Sequence, residues 1–245
     1  MKRKRTDVLA PASSVRCLTG GVDVGSKTIK TALLAHSATG DEVIAANITV
    51  VRRAREASDL RDALRTSWAG VLATAGVSDT DVDYVASTGV RDRVAFRVGH
   101  FWGESCQGVG TRFLFPKAVG YLDWGARQLR VGIIDQVGSI VRRLARRAEI
   151  DVPAAARASV ELLADMPTGP LALIGGRTCD RGWLAALENE MQKLRPSLGL
   201  LASEHGIFAG AYGAALVAAR RYRRLSKRQV TVAWVPEPTF APWLN

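Results

Sequence analysis

The sequence predicts an α/β fold of two like halves, the second shortened, on three observations. Apolar runs near the N-terminus follow the order strand, strand, strand, helix, strand. Two strands a hundred positions apart end in Asp-X-Gly, at Asp23-Val24-Gly25 and at Asp123-Trp124-Gly125. A later apolar run enters a glycine pair, Gly175-Gly176.

Taken in order, GGVDV reads as a short buried strand, GS as the turn after it, and TIKTALLAH as the second strand. SATGD supplies turn residues, and EVIAANITVV, rich in β-branched side chains, is the third strand. In REASDLRDALRTSWAGVLATAG the apolar positions Leu60, Leu64, Trp68, Val71 and Leu72 recur at helical spacing, and Gly76 ends the helix. DYVASTG is a strand that stops at a Thr-Gly turn. This is the core order of the ribonuclease-H-like half of an actin-type or sugar-kinase-type ATPase. After Pro116, AVGYLDWG opens the second half. The recurrence of Ile134, Val137, Ile140, Val141 and Leu144 predicts an amphipathic helix over Ile133–Arg147, and a second helix is predicted over Val152–Met166. LALIGG is a buried strand. CDRGWLAALENEMQKL is a helix with Asp180 as N-cap, and FAGAYGAALVAARRYRRL is a last helix whose small residues permit close backbone approach. The expected division is a basic disordered tail over 1–16, a first half over 17–117 and a second, shortened half over 118–207. A helix over 208–226 returns to the first half, and a Pro- and Trp-containing docking tail occupies 227–245.

Hydrophobic content of 47% and charged content of 23% are ordinary for a globular chain of 245 residues. No apolar run is long enough to span a bilayer, and no signal-type apolar segment follows the basic start. The three cysteines, Cys17, Cys106 and Cys179, form no CxxC pair, which argues against a disulfide framework and for a cytoplasmic setting. A net charge of +11 favours acidic partners. That charge is dispersed over KRKR, RRLARR (142–147) and RRYRRLSKR (220–228), the last two on helical patterns that read as solvated basic faces. No nucleic-acid motif accompanies it, so nucleic acid is not the expected partner.

The glycine turns carry the chemistry. A triphosphate needs backbone N–H groups at close range, which Gly25, Gly125, Gly175 and Gly176 permit. Ser26 and Thr28 offer hydroxyl donors. Lys27 or Lys30 can add a point charge, although strand alternation sends at least one of them to the surface. Asp23 and Asp123, one from each half, can hold Mg²⁺ or orient water. Each turn alone is equally a capped strand end; three in this order point to ATP with Mg²⁺. The G-x-x-x-x-G-K-[ST] loop and the dinucleotide G-x-G-x-x-G are both absent.

GVDVGSKTIKTALL resembles the first phosphate motif of the ATPase family that includes the activators of 2-hydroxyacyl-CoA dehydratases and the ATPase subunits of benzoyl-CoA reductase. The block from Val82 to Val131, running through a Thr-Gly strand end, a short Cys-containing helix and an aromatic-Pro corner to the second motif, is similar to the family's central block. LALIGGRTCDRGWLAALENEM resembles its adenosine-side glycines, and FAGAYGAALVAAR its C-terminal helix. Together these cover most of residues 18–225, and the resemblance is strongest to the smaller, D-type subunits. It implies an actin-like ATPase fold with an interdomain cleft, in which ATP hydrolysis drives an electron to very low potential. It also implies dimers of two such subunits sharing a [4Fe–4S] cluster, and partner subunits that reduce an aromatic acyl-CoA.

The chain departs from that family at the cluster. The family's ligand cysteines follow the second phosphate motif, whereas only Cys179 follows Asp123 here, beyond the Gly-Gly turn. Cys106 aligns with a Ser-Cys-His-Ala position that is not a ligand position, and Ala126 replaces the second glycine of the second motif. A cluster needs four thiolates. The expected role is therefore an ATP-binding D-type subunit without iron–sulfur ligands of its own, working with a homologous larger ATPase subunit and with iron–sulfur and acyl-CoA-binding subunits, away from the membrane. A small-molecule kinase of the same fold, with Asp83, Asp92 or Asp123 as base, and a non-catalytic nucleotide-binding scaffold are the alternatives.

Overall fold

A computed structural model describes residues 15–51, 57–89, 99–125, 128–147, 151–163 and 169–228. Two five-stranded sheets share one plan. The first contains β1 (Val15–Val24), β2 (Thr28–Ser37), β3 (Asp41–Val50), β4 (Tyr84–Gly89) and β5 (Gly99–His100) in the order β3-β2-β1-β4-β5. The second contains β6 (Gly120–Trp124), β7 (Gln128–Ile134), β8 (Ile140–Arg147), β9 (Leu171–Ile174) and β10 (Leu200–Leu201) in the order β8-β7-β6-β9-β10. In each, the leading three strands form an antiparallel meander and the other two run parallel to the first. The chain therefore folds as two ribonuclease-H-like halves. The second is short, yet it keeps all five strands.

The central strands are covered on both faces, which is why they read as continuous apolar runs. Val22 and Val24 of β1, with Ile29 and Leu33 of β2, pack against Leu60, Leu64, Trp68 and Val71 of helix α1 (Ala57–Ala75). Burial of each such side chain contributes about 1.5–3 kcal/mol. Gly76, at φ +68°, takes the left-handed position that ends α1. The opposite face of β1 meets α5 (Ala209–Lys227), which returns from the end of the described chain to the first sheet. The Thr19 hydroxyl donates to the Ala215 carbonyl at 2.8 Å, and a Cβ on Gly21 would overlap the Ala211 carbonyl oxygen. Helix α2 (Gly103–Leu114) crosses α5 at the same close range, because Gly110 and Gly213 each leave room for the other helix's backbone. In the second half, Leu122, Trp124, Leu129 and Val131 pack against Ala155 and Ala156 of α3 (Val152–Leu162) and Leu187 and Met191 of α4 (Arg181–Leu194). Asp180 caps α4, accepting from the Trp183 N–H at 3.0 Å. None of the described helices is long and apolar enough to cross a membrane.

One sequence expectation fails outright. Ile133–Arg147 is not a helix; it is the β7–β8 hairpin. Asp135 Oδ1 accepts from the backbone N–H groups of Val137 and Ser139 at 2.9 and 2.8 Å, and Gly138 turns the chain at φ +82°. The apolar positions that matched a helical period include both ends of this turn, and the β-branched Val131, Ile133, Ile134, Ile140 and Val141 favour strand. The basic run 142–147 is therefore a solvated stretch of edge strand rather than a helix face. The helix expected over Val152–Met166 ends at Leu162; residues 164–168 lie outside the described residues. So do residues 1–14 of the expected N-terminal tail, Asp92, Ala126 and the docking tail from 229 onward.

Candidate functional site: two carboxylate hairpins facing one cleft

The two Asp-X-Gly strand ends are built alike. Gly25 N–H bonds Thr28 O at 2.9 Å, and Gly125 N–H bonds Gln128 O at 3.0 Å, closing the β1–β2 and β6–β7 turns. The antiparallel register then sets Asp23 opposite Lys30 and Asp123 opposite Arg130. Each carboxylate pairs with that cation: Lys30 Nζ lies 3.1 Å from Asp23 Oδ2, and Arg130 Nη1 lies 3.3 Å from Asp123 Oδ2. Alternation places Lys30 on the buried inner face and leaves Lys27 exposed in the turn.

Asp23 is partly exposed and sits against the first turn of α5, where a Cβ on Gly210 would stand 2.9 Å from its Oδ2. The positive end of that helix favours a negative charge there. Asp123 is only 4% exposed. Burial pushes its carboxyl up to about 6. Arg130, Lys30 and the hydrogen bond from Gln107 oppose that rise, and Asp23 adds to it. Asp123 thus feels both members of the first-half pair, which sets the two hairpins within electrostatic range of one another.

Helix α2 reaches into this space. Gln107 Nε2 donates to Asp123 Oδ2 at 2.8 Å, while Gln107 Oε1 is buried without a hydrogen-bond partner. Gly175, at φ +92°, begins the turn after β9, and a side chain there would collide with Asp123 Oδ1. Asp23, Lys30, Asp123, Gly25 and Gly175 therefore come together. Ser26 and Lys27 are exposed at the tip of the first turn, Thr28 and Gly125 are half-buried, and Gly176 opens onto unfilled space.

Three contributors were not named from sequence: Arg130, Gln107 and Gly210. Arg130 was findable, since it stands seven residues after Asp123 as Lys30 stands seven after Asp23. Gln107 and Gly210 reach the carboxylates through tertiary packing and leave no local signal. Asp83, a candidate base from sequence, is not in the cleft. Its Oδ2 accepts from Leu18 N–H at 2.8 Å, at the opposite end of β1 from Asp23. The cysteines lie on separate elements: Cys17 and Cys106 are buried and Cys179 is exposed. Burial holds the Cys106 thiol up at about 12, so it stays protonated and unreactive.

No family model matches the chain. The sequence is 32% identical to the D subunit of Thauera aromatica benzoyl-CoA reductase over 123 residues, a match that takes in 50% of this chain and 42% of that protein. The fold is similar to that of the activator of 2-hydroxyisocaproyl-CoA dehydratase from Clostridium difficile, solved with bound ADPNP. That likeness has a TM-score of 0.70 at 15% identity, covering 91% of this chain and 100% of that one. It is similar also to component A of (R)-2-hydroxyglutaryl-CoA dehydratase from Acidaminococcus fermentans, with a TM-score of 0.69 at 15% identity, covering 84% and 99%. The class that fold and strand plan define is the two-halved, actin-like ATPase fold. Within it, the sequence similarity is to the D subunit of benzoyl-CoA reductase, over less than half of that protein's length.

Proposed function

We propose that this chain is an ATP-binding, D-type ATPase subunit of a benzoyl-CoA-reductase-like complex in the cytoplasm. In this reading it supports ATP-driven, low-potential electron transfer to an aromatic acyl-CoA bound by partner subunits, and those partners supply the iron–sulfur cluster. The observation that carries the proposal is the pair of carboxylate–cation hairpins, one from each half, within electrostatic range of one another. A relative of the same fold was solved with a nucleotide analogue, and a relative in sequence is a benzoyl-CoA reductase subunit.

The residues present fit magnesium and nucleotide. Mg²⁺ prefers oxygen ligands and usually takes one or two carboxylates, with water and phosphate completing its shell. Asp23 and Asp123 supply the carboxylates, and the orphaned Gln107 Oε1 supplies an acceptor for a metal-bound water. The missing side chain of Gly175 and the unfilled space at Gly176 leave room for the nucleotide on the β9 side, while Lys30 and Arg130 offer cations to phosphate oxygens. When bound, MgATP supplies the phosphoryl-transfer free energy. Asp23 and Asp123 hold charge and orient water, Lys30 and Arg130 position both carboxylates, and Gln107 fixes the orientation of Asp123.

Among the described residues no three His, Cys, Asp or Glu side chains gather to hold a metal ion. Co-purification with the products of neighbouring reading frames tests the assignment: a complex carrying iron–sulfur subunits supports it, and isolation only as a lone chain that releases no phosphate from ATP overturns it.

A further inference from the structure

Each sheet ends in two edge strands, and an edge strand presents a row of unpaired backbone N–H and C=O groups on which another strand can form. Among the described residues the edges are β3 and β5 of the first sheet and β8 and β10 of the second. β5 and β10 have only two residues each, too few to template pairing. β8 carries Arg142, Arg143, Arg146 and Arg147, and a row of like charge repels a second copy of itself. β3 has no such protection past its second residue. From Val43 to Val50 it reads VIAANITV, with no charge, no proline and no glycine. Ile44 and Ile48 are each 39% exposed there and Val50 65%.

The strand is also shaped to pair. Its register with β2 shifts at Leu33–Leu34, which leaves Ile44 as a bulge, and from Ala45 to Val50 the ladder is regular. Asn47 Nδ2 donates to the Ser67 carbonyl of α1 at 3.1 Å, which ties the run to the helix beneath it. The order of charge along the strand indicates what occupies its edge. Asp41 and Glu42 open β3, and both are exposed. Asp41 lies 2.7 Å from His36 Nδ1 and 3.9 Å from Arg223, so Glu42 is the acid that a partner strand would meet. At the other end, Val51 N–H bonds the carbonyl of the exposed Lys27 at 2.8 Å, and Arg52-Arg53 follow in sequence. An antiparallel copy of the same strand brings the acidic start of each to the basic end of the other, and sets uncharged run against uncharged run. A parallel copy would set like charge against like at both ends.

We propose that the β3 edge is a self-association surface, on which a second copy of this chain pairs its own β3 antiparallel about a two-fold axis and joins the two first sheets into one. The contact is isologous, the same patch on both copies. Its pairing run is Ala45–Val50, with Glu42 of each copy facing the Val51 end of the other. It does not rest on the nucleotide reading.

The test is the mass of the full chain in solution, by sedimentation equilibrium from micromolar to millimolar concentration, with hydrogen exchange of the β3 amides followed on the same samples. Wild type should form a dimer in which the Ala45–Val50 amides are protected, and dilution should release both. Val50→Glu puts a carboxylate at the end that meets Glu42 of the second copy. It should raise the dimer dissociation constant by about tenfold or more, because the two-fold axis repeats the change. Val50→Lys meets the same Glu42 with opposite charge and should weaken the dimer less than Val50→Glu does. Val141→Glu makes an equivalent change at a 68% exposed valine on β8 and should leave the dimer intact. A wild type that stays monomeric at every concentration overturns the proposal, and protected β3 amides in that monomer would mean that another part of the chain covers the edge. A dimer that Val50→Glu leaves unchanged, or that Val141→Glu dissolves, has its interface elsewhere and overturns it too. A dimer weakened more by Val50→Lys than by Val50→Glu overturns the antiparallel pairing.

Discussion

The β1–β2 and β6–β7 hairpins are the same device built twice and set to different electrostatic conditions. Both place an aspartate opposite a cation seven residues later and close with a Gly N–H bond across the turn. In the first, Asp23 keeps some solvent, faces a helix N-terminus and pairs with a buried lysine, a compact point charge. In the second, Asp123 is buried, pairs with an arginine fork and is tied to α2 through Gln107. The difference teaches that position on the fold sets the chemistry of a repeated motif. One carboxylate keeps contact with solvent; burial pushes the other up to about 6.

The largest expected effect comes from removing either carboxylate. Asp23→Ala and Asp123→Ala should each lower ATP turnover by about 10²-fold or more, with a smaller loss of nucleotide binding, measured by phosphate release and calorimetry. Next comes the spacing between the hairpins. Helix α2 holds Asp123 and α5 abuts Asp23, so their crossing fixes that spacing. Gly213→Ala places a methyl on the Cys106 carbonyl oxygen and should cost about 3 kcal/mol, read from the denaturation midpoint at constant m-value.

A pH titration separates the two carboxylates. Asp123 is raised from 3.8 to about 6. Between those values the folded protein holds a proton that the unfolded chain has released. Stability on this account falls as pH rises through that window, and above it the cost of the buried charge is constant. Asp123→Asn should accordingly stabilise the nucleotide-free protein at pH 7 and lose that advantage below about pH 4. Binding of Mg²⁺–nucleotide should weaken as pH falls below about 6, because protons then compete at Asp123. Asp23→Asn should leave that inflection in place, whereas Asp123→Asn should remove it.

The smallest effect is expected at the cations. Lys30→Met leaves Asp23 without its partner inside the cleft, while Arg130→Lys keeps a charge beside Asp123 and loses only the fork. The first should weaken nucleotide binding more than the second, by about 1 kcal/mol, in parallel titrations.

Most of the strand plan was legible in the sequence. The strands around Val22, Leu33 and Leu122 are covered on both faces, so their apolar runs are unbroken, and Gly76 and Asp180 mark helix ends by local chemistry. The β7–β8 hairpin was not legible from periodicity. Ile134, Ile140 and Leu144 satisfy a helical spacing as well as a strand one, and only the Asp135–Ser139 turn separates the two. Of the site, Asp23, Asp123, Gly25 and Gly175 were named from their strand-end turns. Gln107 and Gly210 were not, since α2 and α5 reach the carboxylates through glycine contacts at Gly110 and Gly213 that no short window of sequence contains.

The most direct test of the two-hairpin cleft is a calorimetric titration of MgATP into the full chain, with phosphate release followed on the same samples, for wild type, Asp23→Ala and Asp123→Ala. Saturable binding in wild type, with turnover lost in both variants, is the expected result. An absence of binding at millimolar nucleotide, or turnover unchanged in both variants, would contradict it.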